Sequence, residues 1–276
     1  MRCRSLLGSG GVVAAVVVAT AVAAPAPALA APEFAPADEA TVHPGVMTYT
    51  DGAQCTANFV FTSGDDVFIG QAAHCAGTGT ATETDGCDAG SLPLGTEVEI
   101  EGASRPGVLA YSSWLAMQAN GETDENACAY NDFALVRIDP ADVAAVNPTV
   151  PFFGGPVGLD DDGTTVGERV YSYGNSSLRL GLEPLSPKAG TSVGTAGDGW
   201  THDIYTVSPG IPGDSGSAVL SSTGEALGTL STVQLAPLAG SNGVSDLSRE
   251  LAYANEHGGL GTLTLELGTE PFDPIL

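Results

Sequence analysis

The sequence has very few basic residues. Only eight of its 276 residues are lysine or arginine, Lys188 is the single lysine, and 33 acidic residues bring the formal net charge to −25. A chain this acidic repels phosphates and anionic lipids, so we expect no nucleic acid and no stable membrane association. We interpret the charge as favouring solubility outside the cell.

Long hydrophobic runs are missing after the first thirty residues. Gly11–Ala24 is apolar but short for a membrane span. It follows the basic Arg2 and Arg4 and precedes the small residues Ala28-Leu29-Ala30, which is the order of a Sec-type signal peptide. We therefore predict that residues 1–30 are removed and that the protein is secreted; a membrane anchor is the alternative.

Cysteine is also sparse. Cys3 lies in the predicted signal peptide, and four cysteines remain: Cys55, Cys75, Cys87 and Cys128. An even number in an exported chain predicts two disulfides, and three pairings are open at this point. A zinc site is the alternative, but the chain has no C-x-x-C pair and no second histidine near Cys75. We expect no metal and no cofactor.

Short strand-like segments separated by turns fill most of the chain and indicate an all-β fold. Residues 31–45 are rich in proline, alanine and acids and predict a flexible leader or short pro-segment. Strand-like segments follow in two groups: AQCTANFVF, DDVFIG, TEVEIEG, GVLAYSSWLAM and NDFALVRI, then GERVYSYG, DIYTV, SAVLSS and EALGTLSTV. Proline-rich residues 140–164 separate the groups. We expect one domain over residues 46–258, with a first barrel at about 46–140 and a second at about 164–258.

One helix is predicted near the end of the chain. Three apolar residues recur there at helical spacing: Leu247, Leu251 and Ala254. Ser245 or Asp246 is suited to cap this helix, and Gly258 to end it. Residues 259–276 form a tail whose LTLELGTEPF segment either adds an edge strand or trails.

A single histidine of the four lies in a setting that suits catalysis. His74 sits in GQAAHCAG, directly after the predicted strand DDVFIG and directly before Cys75. A disulfide at Cys75 would fix the backbone beside the ring, and a general base needs such a fixed position. A core histidine beside a disulfide is the alternative interpretation.

The segment SPGIPGDSGSAVL places Ser215 in a glycine- and proline-rich bend. A serine hydroxyl becomes a good nucleophile when a base takes its proton, and the base needs a carboxylate that orients it. His74 and Asp132, in YNDFALVRI, provide these groups. The N–H groups of Gly213 and Ser215 would form an oxyanion hole. Each motif alone could be structural, but together they favour nucleophilic catalysis.

The motifs GQAAHC, NDFALVRI and PGDSGSAV resemble those of chymotrypsin-like (trypsin-fold) serine proteases, especially secreted bacterial members. The resemblance covers about residues 46–258. It implies two antiparallel six-stranded β-barrels with a C-terminal α-helix and a site in the cleft between the barrels. It further implies a serine endopeptidase that forms an acyl-enzyme on protein or peptide substrates, and we expect a monomer.

The resemblance also assigns further residues. It implies a disulfide between Cys55 and Cys75 beside the histidine, which leaves Cys87 and Cys128 as the second pair. Ser231, in GTLST, corresponds to a serine that supports the triad aspartate. The backbone of Ser231 and Val233 would pair with an extended substrate.

Three departures from the family pattern bear on function. Ser217 stands where the family has a second glycine. The I-V-G-G type N-terminus of animal members is missing, so a buried Asp214 needs another partner. Arg137, Arg169 and Arg179 are candidates, and Arg169 is our first choice.

The third departure concerns specificity. Pro209 stands at the position of the family's pocket base, where trypsin-like members have an acid. We therefore expect no cleavage after lysine or arginine and a small or apolar pocket near Gly210, Ile211 and Val233. Two other functions stay open: a catalytically silent binding module with the same fold, and an esterase using the same triad.

Overall fold

The structure is a computed structural model that describes residues 32–80, 84–233 and 239–274. The predicted signal peptide, residues 1–30, lies outside the described residues. Among the helices of the described ranges, none has the length and apolarity needed to cross a membrane.

The first half of the chain forms a curled antiparallel sheet. Its strands in chain order are β1 (Met47–Thr50), β2 (Ala53–Thr56), β3 (Val60–Ser63), β4 (Asp66–Gln71), β5 (Glu97–Ile100), β6 (Gly107–Ser112) and β7 (Ala134–Arg137). They pair in the order β3-β4-β7-β6-β5-β1-β2. β2 and β3 are two parts of one bent stretch: Ala57 N–H bonds to Val46 on the β1 side, and Asn58 N–H bonds to Gly70 on the β4 side. Both ends of the strand order therefore meet at this stretch, and the sheet closes on itself as six strands.

The second half forms a closed six-stranded barrel. Its strands are β8 (Arg169–Tyr173), β9 (Pro187–Ala196), β10 (Thr201–Thr206), β11 (Ala218–Leu220), β12 (Ala226–Val233) and β13 (Asn242–Asp246). They pair antiparallel in the order β10-β13-β12-β11-β8-β9. The fold-class prediction of an all-β protein with two antiparallel barrels is thus confirmed.

A C-terminal helix, α3 (Leu247–His257), joins the cores of the two barrels. Its buried face contains the three apolar residues that set the predicted helical pattern, and Asp246 caps it by accepting the N–H of Arg249. These apolar side chains belong to one cluster with Phe133 of the first barrel and Leu220 of the second. Burying each leucine side chain contributes about 2 kcal/mol. Because the buried leucines of α3 contact both barrels, the helix stabilises their association.

Two further helices lie between β6 and β7. The predicted strand segment GVLAYSSWLAM is strand only as far as Ser112, and α1 (Ser113–Asn120) then begins. Leucine, alanine, methionine and glutamine in this stretch favour helix over strand, which explains the difference. α2 (Glu125–Tyr130) follows, and the side chain of Asp124 caps it.

Both chain-terminal segments of the described protein pack on the barrels. Residues 32–45 differ from the expected flexible leader: Val42 is fully buried and pairs with Val146. At the other end, β14 (Thr264–Leu265) pairs with β3, so the tail adds an edge strand. Asn147, in the connector between the barrels, donates to Ala35 O at 2.7 Å and to Thr269 Oγ1 at 2.9 Å.

Candidate active site

His74 lies on a short 3₁₀ helix, Ala73–Ala76, just after β4. The neighbouring Cys75 is bonded to Cys55 of β2, with a Cα–Cα distance of 6.1 Å. In the chain-entropy model this cross-link stabilises the fold by about 3 kcal/mol. It also fixes the backbone beside the imidazole. The His74 side chain is still 26% exposed, so the ring is held while one face stays open.

Asp132 lies between α2 and β7 and contacts His74 twice. Its Oδ1 accepts the backbone N–H of His74 at 2.9 Å, and its Oδ2 lies 2.6 Å from Nδ1 of the ring. Because a carboxylate accepts hydrogen bonds, Nδ1 carries the proton and Nε2 is left as the free base. Ser231 Oγ donates to the same Oδ2 at 2.5 Å, so this serine supports the aspartate.

The pair carries complementary pKa shifts. Burial alone would lower the pKa of His74, but the charge and hydrogen bond of Asp132 outweigh it and the net pKa is raised. Burial alone would raise the pKa of Asp132, yet His74 and Ser231 bring it below its ordinary value. The site therefore favours an ionised aspartate and stabilises the imidazolium that forms when His74 takes a proton.

Ser215 lies in a tight loop that is bonded to β12 and to the first barrel. Gly216 N–H donates to Leu230 O at 2.7 Å, and Thr56 N–H donates to Ser215 O at 2.8 Å. Gly213 and Gly216 have φ angles of +95° and +89°. A Cβ at Gly216 would lie 2.5 Å from Thr56 O, so only glycine allows this close approach.

The loop leaves two backbone donors free. Within the described residues, neither Gly213 N–H nor Ser215 N–H donates to an acceptor of the protein. Gly213 O is turned away from these donors, because it accepts from Thr56 Oγ1 at 2.7 Å and from Gln54 Nε2 at 3.0 Å. Two unpaired N–H groups beside a serine are the arrangement that an oxyanion hole requires.

His74 and Ser215 line the same cleft, which has a volume of about 730 Å³. Other residues of its wall come from both halves of the chain and include Gln54, Trp114 and Leu230. Within the described residues, no hydrogen bond joins Ser215 to His74. Catalytic hydrogen bonds are often long without substrate and shorten when substrate binds. The cleft between the barrels thus holds His74 and Ser215, and the buried Asp132 contacts His74 from outside the cleft lining.

Asp214, beside the candidate nucleophile, is fully buried between two cations. Its Oδ2 lies 2.7 Å from Arg179 Nη2 and 3.4 Å from Lys188 Nζ. Our first choice of partner, Arg169, is wrong: its guanidinium lies 5.8 Å from the ring centroid of Tyr171 instead. Sequence reasoning also missed Lys188, whose single signal was that it is the chain's only lysine.

Ser217, at the position where a second glycine was expected, fits the loop without disturbing it. Its hydroxyl donates to Asp214 O at 2.5 Å, and its N–H donates to the same oxygen at 3.1 Å. The side chain therefore adds a hydrogen bond to the turn that carries Ser215.

The candidate substrate pocket differs in detail from the sequence assignment. Ile211, Leu230 and Ser231 line the cleft, whereas Pro209 does not; its carbonyl accepts from Arg179 at 3.1 Å. Among the described cleft residues there is no aspartate or glutamate. Val233 ends β12 opposite Asn242, and a register shift between Leu230 and Thr232 leaves Ser231 outside the ladder.

The second disulfide braces another wall of the cleft. Cys87 and Cys128 are joined, as the resemblance implied, over a separation of 41 residues. The segment beside Cys87 covers Trp114, since a Cβ at Gly86 would lie 2.3 Å from the indole ring. The bridge therefore ties this cleft wall to α2.

Comparison with known proteins identifies the fold. No protein-family model and no curated protein sequence matches the chain. Thermobifida fusca Protease A is 19% identical with a TM-score of 0.53, and the alignment covers 83% of this chain and 100% of that chain. A Glu endopeptidase, solved in complex with MPD, is 14% identical with a TM-score of 0.50 and coverages of 77% and 89%. Together with the barrels and the helix, these likenesses show that the chain has the fold of the chymotrypsin-like serine proteases.

Proposed function

We propose that the protein is a secreted serine endopeptidase. The observation that carries the proposal is the coupling of His74 to Asp132, at the wall of a cleft that Ser215 shares. Stability alone does not require His74 and Ser215 to face the same cleft. The free N–H groups of Gly213 and Ser215 support the same reaction.

The proposed reaction uses these groups in two steps. Ser215 Oγ attacks the peptide carbonyl carbon while His74 Nε2 takes the hydroxyl proton. Asp132 stabilises the resulting imidazolium, and the N–H groups of Gly213 and Ser215 bind the oxyanion. The C–N bond then breaks as His74 returns the proton to the leaving amine. Water attacks the acyl-enzyme with His74 again as base, which releases the acid and restores Ser215.

The cleft supports an extended peptide with a small or apolar side chain before the cleaved bond. A register shift leaves Ser231 without a partner residue in the pairing of β12 with β13, which supports pairing of its backbone with substrate. Ile211 and Leu230 provide an apolar wall. Since no carboxylate is among the described residues of this cleft, a basic side chain would find no ion pair there. We propose that peptides with lysine or arginine before the cleaved bond are poor substrates.

The decisive experiment is labelling with a fluorophosphonate probe, combined with hydrolysis of an unstructured protein. We expect the adduct on Ser215, as located by mass spectrometry, and losses of about 10⁴-fold or more in kcat for Ser215→Ala and His74→Ala. Ser222→Ala, which changes an exposed serine of the same barrel, serves as the matched control and should keep full activity.

Each outcome separates the candidate functions. Near-normal turnover by Ser215→Ala would refute the proposed nucleophile. Absence of any adduct on folded wild-type protein that still binds peptides would instead favour a catalytically silent binding module. Hydrolysis of esters without cleavage of protein would favour an esterase.

A further inference from the structure

A second carboxyl group lies directly behind Asp132. Glu250 belongs to α3, and its side chain is fully buried. Its Oε1 accepts the backbone N–H of Asp132 at 3.3 Å, and its Oε2 lies 2.7 Å from Thr229 Oγ1. The proposed mechanism makes no use of this group, although it touches the residue that orients the base.

The Glu250 side chain connects the two segments that hold the Asp132 carboxylate in place. One segment is the backbone of Asp132 itself, and the other is β12, in which Thr229 precedes Ser231 by two residues. Asn58 Nδ2 lies 3.3 Å from the same Thr229 hydroxyl and adds a contact from the first barrel. The bridge therefore spans both barrels and the C-terminal helix.

The charged groups around Glu250 are acidic rather than basic. Within the described residues, no lysine or arginine forms an ion pair with it. The titratable groups that face it are the carboxylates of Asp132 and Asp246 and the phenol of Tyr111. Burial above all, and then the two carboxylates, raise the pKa of Glu250 well above its ordinary value against the opposing hydrogen bonds. Both carboxyl oxygens accept hydrogen bonds, Oε1 from the Asp132 N–H and Oε2 from the Thr229 hydroxyl.

We propose that Glu250 is a positioning residue that acts through its two hydrogen bonds: it fixes Asp132 relative to Ser231 and thereby orients His74. The proposal rests on the serine endopeptidase function proposed above. Its consequence is that α3 contributes to the site through the geometry of these two contacts. A small shift of Asp132 would misplace the base, and misplacement of this kind lowers kcat more than substrate affinity.

The conservative variant Glu250→Gln tests whether Glu250 acts through its hydrogen bonds or through a charge. The amide oxygen can accept from Asp132, and the amide nitrogen can donate to Thr229 once that hydroxyl rotates, so glutamine keeps both contacts without a charge. We expect kcat within about twofold of wild type and an unchanged acid limb of kcat/KM. If Glu250 instead acts through a charge, the substitution lowers the pKa of His74 by about half a unit or more, and that result overturns the proposal.

Two further variants test the positioning role. Glu250→Leu keeps the volume and removes both contacts, and Thr229→Val removes one hydroxyl. We expect kcat to fall about tenfold and about threefold, with KM changed by less than about twofold. Glu256→Gln, on the exposed side of the same helix, is the matched control and should behave as wild type. If Glu250→Leu and Thr229→Val both retain kcat within about twofold, Glu250 has no positioning role.

Nuclear magnetic resonance tests the positioning role of Glu250 without relying on peptidase activity. The titration of the His74 ring and the exchange rate of the Asp132 amide proton are measured in wild type, Glu250→Gln and Thr229→Val. We expect equal His74 titrations in the first two proteins and faster amide exchange in Thr229→Val. If wild type hydrolyses nothing, the endopeptidase proposal fails, and these measurements still decide the inference. A His74 titration that moves in Glu250→Gln, or amide exchange that Thr229→Val leaves unchanged, overturns it.

Discussion

His74 is the residue whose protonation decides whether the site can act. Its pKa is raised because the charge and hydrogen bond of Asp132 more than offset the lowering that burial causes. The ion pair stabilises the folded state below the unfolded-state pKa of histidine, and this contribution is lost as pH rises through the folded-state pKa. Catalysis has the opposite requirement, because a general base must be unprotonated.

We therefore predict that kcat/KM falls on the acid side with a midpoint above about 6.5, the ordinary histidine pKa. A pH–rate profile between pH 5 and 9 with one peptide substrate measures it. Asp132→Asn should reduce kcat by about 10⁴-fold. Activity that stays constant down to pH 5 would contradict His74 as the base.

Lys188 is the second residue with a marked pH effect. Burial lowers its pKa to about 8, Asp214 opposes the shift, and Arg179 adds to it. Between about pH 8 and the ordinary lysine value of about 10.4, the unfolded chain binds a proton that the folded chain lacks. The free energy of unfolding therefore increases with pH in this window.

We predict that wild type gains stability relative to Lys188→Met when pH rises from 7 to 10, by about 1 kcal/mol or more. Urea unfolding of both proteins at each pH measures the difference in free energy of unfolding. Groups that titrate alike in both proteins do not contribute to this difference. A pH-independent difference would show that Lys188 is already neutral or keeps its ordinary pKa.

At the scale of elements, the sequence predicted most of the strands that carry apolar or β-branched residues. The three active-site motifs and the helix over Leu247–His257 also lie where the pattern indicated. It missed the short β1, whose sequence is MTYT, and it missed β9 and β13, whose sequences PKAGTSVGTA and NGVSD have few apolar residues. These strands form because barrel closure pairs each of them with two neighbours, which no local pattern encodes.

The same limit explains what was missed at the site. Arg179 and Lys188 reach Asp214 from 35 and 26 positions away in the chain, and Glu250 reaches Asp132 from 118 positions away. Such pairings result from packing, so residue spacing could not have chosen Arg179 over Arg169. The structure of local motifs such as GDSG can be predicted from sequence, because their backbone geometry depends on adjacent residues.

The start of α3 depends on one side chain with two functions. Asp246 Oδ1 caps the helix through Arg249 N–H, and Oδ2 lies 2.9 Å from Nε2 of the buried His202. His202 also bonds to Thr195 of β9 through its other ring nitrogen. The cap thus links the helix to the interior of the second barrel.

We predict that Asp246→Ala lowers the free energy of unfolding by about 2–3 kcal/mol, because it removes a cap and leaves His202 without an acceptor. Asp246→Asn should lose less, since asparagine caps helices equally well. Urea denaturation measures both variants. Equal losses would mean that the cap contributes nothing and that the charge alone matters.

At the scale of the whole molecule, the charge imbalance opposes folding. The chain has 33 acids and eight bases, and two of the bases, Arg179 and Lys188, pair with the buried Asp214. The remaining acidic surface repels itself in the compact state. Salt weakens this repulsion because the Debye length falls from about 10 Å at 0.1 M to about 3 Å at 1 M.

We predict that Tm rises by several degrees, about 3–8 °C, when sodium chloride increases from 0.05 to 1 M. Differential scanning calorimetry at constant pH measures the shift. Sodium sulfate at equal ionic strength separates screening from ion-specific effects. A Tm that is constant or falls with salt would show that attractive pairs dominate the surface.

The Asn147 side chain has a consequence for chain connectivity. Its amide nitrogen touches both Ala35 and Thr269, so these two positions lie within a few ångströms of each other. Residues 270–273 follow and pack on the protein, where Phe272 contacts Tyr171, so a glycine linker from residue 274 back to residue 35 would join the two ends while keeping these contacts. New ends opened at an exposed turn would give a circularly permuted protein in which the two barrels exchange their order along the chain.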